Sequence, residues 1–369
     1  MPSRPGFQVQ LALPSGTVRI PFTPVDLPSG AYGIWPVNLV LPGTVLRYST
    51  AQLFKRVETS AGGTYYFFFA IPGVRPEFCF NETARIATVS RGLKVEDTPA
   101  GILAGGAVDD DAAGAEISLE QDVHLVLLPE SVAESVWRGD SPSLLVQSRA
   151  AAFSDGDRWT LESDGNPEID FGLFGAGQPT PANGIPLTQE PVRGLLQLFH
   201  ASFPRLDLKP QITRLKSASA RAPWQFGPKL SWQPRAIPLA PDDADFDKAA
   251  AWRISVPAIP AAPYLSNVLL RIDYQGDVAR LSLGKHLIDD NFWNGQPWKV
   301  GLKEAEGNWP AATAFDLRIL GMPKDYPMFL EDGKTLHFDE AGLADSLQSV
   351  RLVPRYRLQF QVNPAGDKP

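Results

Sequence analysis

Cysteine is almost absent from this chain of 369 residues, and the single thiol, Cys79, excludes an intrachain disulfide framework. Its neighbours in PEFCFN are apolar, which suits a small buried group and not the electropositive setting of a reactive thiolate. Histidine is scarce as well. His124, His200, His286 and His337 lie far apart with no paired spacing, so no zinc motif is legible. Positive charge is not in excess: a formal net charge of −7 argues against a nucleic-acid partner, which needs clustered Lys and Arg. No apolar run reaches the roughly 18 residues of a spanning helix, so no membrane partner is expected. The opening MPSRPGFQVQLALP has no basic region followed by an apolar core; no secretory signal is read there, and the compartment is left open. Also missing are a G-x-S-x-G elbow, an S-x-x-K pair and a phosphate-cradling loop, since the glycines at 172–177 are followed by Pro179 and Pro181, which bar a helix.

What the chain has in quantity is punctuation. With 35 prolines and 31 glycines set between short apolar runs, and 44% hydrophobic residues to fill a core, the pattern predicts an all-β protein of two or three sandwich or jelly-roll modules with a few short helices. Tyr65 to Ile71 is an uncharged run, YYFFFAI, expected as a strand buried on both faces between packed sheets. From Leu269 onward, Leu270, Ile272 and Tyr274 alternate with Leu269, Arg271 and Asp273. After Gln275-Gly276, Ala279, Leu281 and Leu283 alternate with Val278, Arg280 and Ser282. The spacing predicts a meander of antiparallel strands turning at Gly276 and Gly284. Short helices are expected over 129–137, opened by Pro129 and stopped by Gly139, and over 191–200. The boundaries read as a β-sandwich region over 1–175 (one module, or two divided near 100–115), a Pro-rich and basic connection over 176–249, and a last jelly-roll domain over 250–369.

The phrases RIDYQGDVARLSLG, LIDDNFWNGQPWKVGL and LRIL, together with IWPVNLVLPGTVLRYSTAQLFKRV and TYYFFFAIPGVRPEF, resemble the β-domains that follow the catalytic barrel in large bacterial β-galactosidases of glycoside hydrolase family 35. The matches keep the family's order and span roughly residues 30–320, with a weaker stretch at about 175–250. The resemblance implies a galactose-binding-like scaffold, an association with galactosides and a catalytic barrel as partner. It implies no catalytic residue, because nothing in the chain supplies eight strand–helix units, which need about 250 residues.

Two chemistries can be sought in the residues themselves. Hydrolysis of a glycoside needs two carboxyl groups facing one another about 5–10 Å apart. Glu77, Asp273, Asp277 and Asp290 are the candidates, though a buried Glu77 paired with an arginine, and turn-capping aspartates, would look the same. Sugar binding needs flat rings beside short polar groups, and Asp289, Asp290, Asn291, Trp293, Asn294 and Trp298 crowd one stretch. Set against it is an ordinary core role for both indoles. Trp35 and Trp252 are expected in the core. No cofactor is implied beyond a structural calcium, left open by the acidic run Asp109-Asp110-Asp111, which lacks the glycine and distal glutamate of a calcium loop. The leading expectation is a carbohydrate-associated accessory module that binds galactoside-like glycans or braces a catalytic domain. The alternatives are a glycoside hydrolase using its own carboxylates and a structural interaction module without a ligand.

Overall fold

The computed structural model describes residues 2–13, 16–59, 62–90, 92–106, 114–141, 143–175, 177–219, 225–303, 312–325 and 335–362. The acidic run Asp109-Asp110-Asp111 lies outside them. The chain is all-β and divides into two compact units. One comprises residues 1–163, 168–202 and 358–369, the other residues 164–167 and 203–357. The stretch 176–249 is therefore more than a connection. It supplies strands Pro179–Pro181, Thr188–Gln189 and Gln197–Ser202 to the first unit and Gln211–Lys216 to the second.

The first unit contains two five-stranded sheets. In order across the sheet, one holds Val37–Leu41, Thr44–Ser49, Glu77–Phe80, Gly101–Gly106 and Leu93–Thr98. The other holds Gln52–Glu58, Thr64–Ala70, Val123–Pro129, Ala115–Leu119 and Ile86–Val89. Leu46, Phe78, Phe80 and Ala104 from the first meet Phe68, Ile117, Leu125 and Leu127 from the second in one core. Thr64–Ala70 pairs in parallel with Val123–Pro129, and both are apolar on successive residues. Tyr66 and Phe68 enter that core, while Phe67 joins Val126, Leu128, Leu145 and Phe174 in another. Burial on both faces is what an uninterrupted apolar run requires.

A third five-stranded sheet of this unit holds Val136–Arg138, Leu145–Gln147, Glu168–Phe174, Gln197–Ser202 and Thr188–Gln189. It corrects both helix expectations. The helix after Pro129 is a single turn, Glu130–Ala133, and Val136–Arg138 already pairs with Leu145–Gln147, well before Gly139 could act as a stop. Residues 191–200 form no helix. Arg193 bridges Leu196, and Phe199 stacks on Phe171 with centroids 5.3 Å apart. A β-branched or aromatic residue gains more from a cross-strand partner than from an isolated short helix.

The second unit is a β-sandwich. One sheet runs Gln211–Lys216, Ala250–Val256, Thr313–Ile319, Val278–Leu283 and His286–Phe292; in the other, Leu265–Tyr274 lies between Trp298–Gly301 and residues 347–356 of Leu347–Val362. Leu270, Ile272 and Tyr274 from one sheet and Ile254, Leu281, Phe315 and Leu317 from the other share a core. The expected meander holds only at the Gly284-Lys285 hairpin, where Gly284 has φ +58°. Leu265–Tyr274 and Val278–Leu283 do not pair; at 275–277 the chain crosses from one sheet to the other. Gly276 serves close approach there and has no positive φ: a Cβ would sit 2.5 Å from Ile319 Cγ2 and 3.0 Å from the Leu320 carbonyl oxygen. The crossing is buried, so its polar groups need partners. Gln275 N–H donates to Ser346 O (2.8 Å), Asp277 N–H to Leu320 O (2.9 Å), and the Gln275 amide bonds Thr335 O (3.0 Å) and His337 N–H (2.9 Å).

Candidate functional site

The aromatic and polar residues of 289–298 are brought together, but not as an exposed platform. Trp293 and Trp298 are both buried in the second unit's core. The Trp298 Nε1–H donates to Asp289 Oδ2 at 2.9 Å, and its ring meets Tyr274 edge-on at 6.4 Å. Asn291 is tied to the same tyrosine: Tyr274 Oη donates to the Asn291 carbonyl oxygen (2.6 Å) and the Asn291 amide donates back (2.9 Å). Asn294 Oδ1 accepts Gln296 N–H at 3.0 Å, an ordinary Asx turn. The indoles are apolar mass for the sandwich, with one N–H satisfied by a carboxylate at the rim. The expected stacking surface of Trp293 and Trp298 is thereby corrected.

The carboxylate candidates divide between the units. Glu77 lies in the first; Asp273, Asp277, Asp289 and Asp290 lie in the second. Asp277 is buried within the crossing, and Asp290 sits opposite Arg280 on the edge strand. Glu77 is 6% exposed, and among the described residues no arginine is paired with it. Its Oε1 accepts the Tyr48 hydroxyl and the Phe22 N–H (2.7 Å), and the same N–H also reaches Tyr48 Oη (2.7 Å). The carboxyl therefore ties the two-stranded ribbon of Arg4–Leu13 and Gly16–Leu27 to the sheet containing Glu77–Phe80. Burial, then the Glu77 carboxyl, pushes the Tyr48 phenol far above its ordinary value. Burial likewise pushes the neighbouring Cys79 thiol up to about 11, and its Sγ lies 3.4 Å from Ala100 O. Burial and these hydrogen bonds hold the three groups in place.

The histidines sit in separate settings. His124 stacks on Tyr65 (4.3 Å, 10° between planes) with Nδ1 at 2.7 Å from Glu116 and Nε2 at 2.8 Å from Asp122. His200 faces Asp170 across two strands, Nδ1 at 2.7 Å, with Glu168 at 3.2 Å from Nε2. Among the described residues, no three His, Cys, Asp or Glu side chains are placed to hold a metal ion. The Asp170 hydrogen bond holds the His200 pKa above its usual value. Its stabilising effect is therefore complete below the ordinary histidine range of about 6.5 and is lost as pH rises through the elevated folded value. His200→Gln is expected to lower stability by at most about 1 kcal/mol near pH 5.5 and not at all well above neutrality, because the pair is partly solvated. Urea titrations at the two pH values would show this; an equal loss at both would assign the effect to packing.

Two hollows lie elsewhere, beside a turn in the first unit. A groove of about 800 Å³ is lined by Ile71, Val74, Gly105 and Gly106, with Arg75, Lys94, Glu130 and Ser131 supplying its polar groups. A second hollow of about 410 Å³ shares Ile71 and Val74 and is otherwise aromatic and apolar, lined by Phe7, Leu27, Tyr32 and Trp35. The loop carrying Tyr32 lies tight against the turn because residue 33 is glycine: a Cβ there would fall 2.2 Å from Ile71 Cδ1. Trp35 is half-buried, packing edge-on against Phe7 at 6.1 Å, so its core role is partial. Tyr32 is 87% exposed. Sequence reasoning passed over Tyr32, Arg75 and Lys94. The one local signal was an aromatic pair, Tyr32 and Trp35, inside the Gly/Pro-rich loop LPSGAYGIWP.

None of the five carboxylates considered for catalysis or binding, Glu77, Asp273, Asp277, Asp289 and Asp290, lines either hollow. What the pair of hollows offers among the described residues is a flat ring, an apolar wall and a few charged groups, a composition suited to binding, with no opposed acid pair among those residues. No family model and no curated protein matches the chain.

Proposed function

We propose that this chain is a non-catalytic, carbohydrate-associated module, related to the β-domains that follow the barrel of family 35 β-galactosidases, and that it holds galactoside-like glycans at the hollows flanking the Ile71–Val74 turn. The observation that carries the reading is the exposed Tyr32 ring beside the Trp35 wall, next to a groove edged by Arg75, Lys94, Glu130 and Ser131. A pyranose presents an apolar C–H face and a rim of hydroxyls. Tyr32 suits the face, and the charged and hydroxyl groups suit the rim. The long phrases that resemble the galactosidase family support the same ligand class. Hydrolysis by the chain's own carboxylates lacks this support, because Glu77 and Asp289 are already occupied by Tyr48, Phe22 and Trp298.

Calorimetric titration of the purified chain with lactose and longer β-galactosides tests the proposal. Binding is expected, with Tyr32→Ala weakening it about tenfold, ~1.4 kcal/mol, and leaving the melting temperature unchanged because the ring is exposed. Absence of binding to every galactoside tried, or binding indifferent to both Tyr32→Ala and Arg75→Ala, would remove the site.

A further inference from the structure

The second unit carries an exposed arm that neither its core nor the glycan hollows explain. Over 225–239 the chain folds back on itself: Gly227 N–H donates to Ile237 O (2.9 Å), Leu239 N–H to Gln225 O (2.8 Å), and Phe226 bridges Pro238. Its tip turns at 230–233, where Gln233 N–H donates to Leu230 O (3.0 Å) and the Gln233 side chain returns to Leu230 N–H (3.0 Å). These bonds define a built hairpin. Yet Phe226, Leu230, Trp232, Ile237 and Leu239 all lie on the surface, Trp232 at 75% exposure. Single exposed apolar residues need no explanation, but five on one short arm form a patch. The arm is also basic. Its two charged side chains are Lys229 and Arg235, in a chain whose net charge is −7.

The same unit offers a surface of opposite character. His286–Phe292 is the edge strand of its sheet. Asp290 and Phe292, two residues apart, point to one face, and Phe292 is exposed. Asp290 lies in register with Arg280, which is also bonded to the exposed Asp243 at 2.6 Å, on a short helical turn that adds Asp242 and Asp247. A strand at the edge of its sheet among the described residues, with an exposed apolar ring and several aspartates nearby, complements a basic arm with apolar anchors.

We infer that the arm docks on this edge of a second copy of the chain. The apolar arm residues and Phe292 form the centre of the contact, and Lys229 faces Asp290 at its rim. The contact joins two different patches, so it is heterologous. Each copy donates an arm and receives one. The inference stands independently of glycan binding, which uses the other unit.

Sedimentation velocity of the full chain across a wide concentration range is the test. The expected result is a concentration-dependent mass of at least twice 40.2 kDa that falls as salt screens the rim. Trp232→Ser is expected to weaken association roughly thirtyfold. Lys229→Glu and Asp290→Lys should each weaken it. An equal mixture of these two variants should associate again, because a reversed arm then meets a reversed edge; this recovery also shows that both variants are folded. A 40.2 kDa monomer at every concentration, or association indifferent to all three substitutions, would overturn the inference. So would a monomer that binds phosphatidylserine vesicles through Trp232, since a lipid surface would then be what the arm recognises.

Discussion

Replacing Glu77 by alanine is expected to lower the stability of the first unit by about 2 kcal/mol, because the change removes the acceptor of the buried Tyr48 hydroxyl and one of the two acceptors of the part-buried Phe22 N–H. The Tyr48 hydroxyl loses its acceptor. The Phe22 N–H keeps only the weaker contact to Tyr48 Oη, so the N-terminal ribbon is released from the sheet at that point. Glu77→Gln retains an acceptor oxygen and should lose about 1 kcal/mol or less. Thermal melts of the purified variants measure the difference. The same variants examine the hydrolase alternative. With aryl β-galactosides the chain is expected to show no turnover above a blank, in the wild type or in Glu77→Gln. Turnover that disappears in Glu77→Gln or Asp290→Asn would place a catalytic acid in these domains after all.

The second large effect is expected at Trp298. Its ring is buried between the sheets of the second unit and its Nε1–H is held by Asp289. Trp298→Ala should cost about 4 kcal/mol, the combined loss of buried apolar surface and of packing around the void. Trp298→Phe should cost less, since much of the volume remains while the bond to Asp289 goes. Galactoside titration below the melting transition should be unaffected by either change, because the proposed site belongs to the other unit. A Trp298→Ala protein as stable as the wild type but unable to bind sugar would restore the indole platform that the sequence suggested.

The contrast between Trp298 and Tyr32 shows what a local sequence can and cannot say about a site. Both are aromatics among short polar or Gly-rich neighbours. Trp298 is followed by Lys299 and Val300 in a strand whose alternate residues face the core, and its strand pairs with Leu265–Tyr274. Tyr32 lies in a loop held against Ile71 by a glycine, where its ring is exposed. The neighbouring residue types barely differ. The burial does, and it depends on strands far away in the chain.

The sequence by itself determined the class of this protein: frequent proline and glycine between short apolar runs, with period-two alternation over 269–283, specify strands and not helices. It also determined that Thr64–Ala70 would be covered on both faces, since an unbroken apolar run can go nowhere else. Tertiary structure alone decided which strands are neighbours. Periodicity tells which face of a strand is apolar but not which other strand that face will meet. Leu265–Tyr274 and Val278–Leu283, adjacent in the chain, belong to opposite sheets because Gly276 permits a close crossing past Ile319 and Leu320. The fate of Glu77 was decided in the same way. A carboxyl between apolar residues is equally compatible with catalysis and with support. What the folded chain brings to it is Tyr48, 29 positions away, and Phe22, 55 positions away, whose donors converge on it only once the ribbon and the sheet have come together.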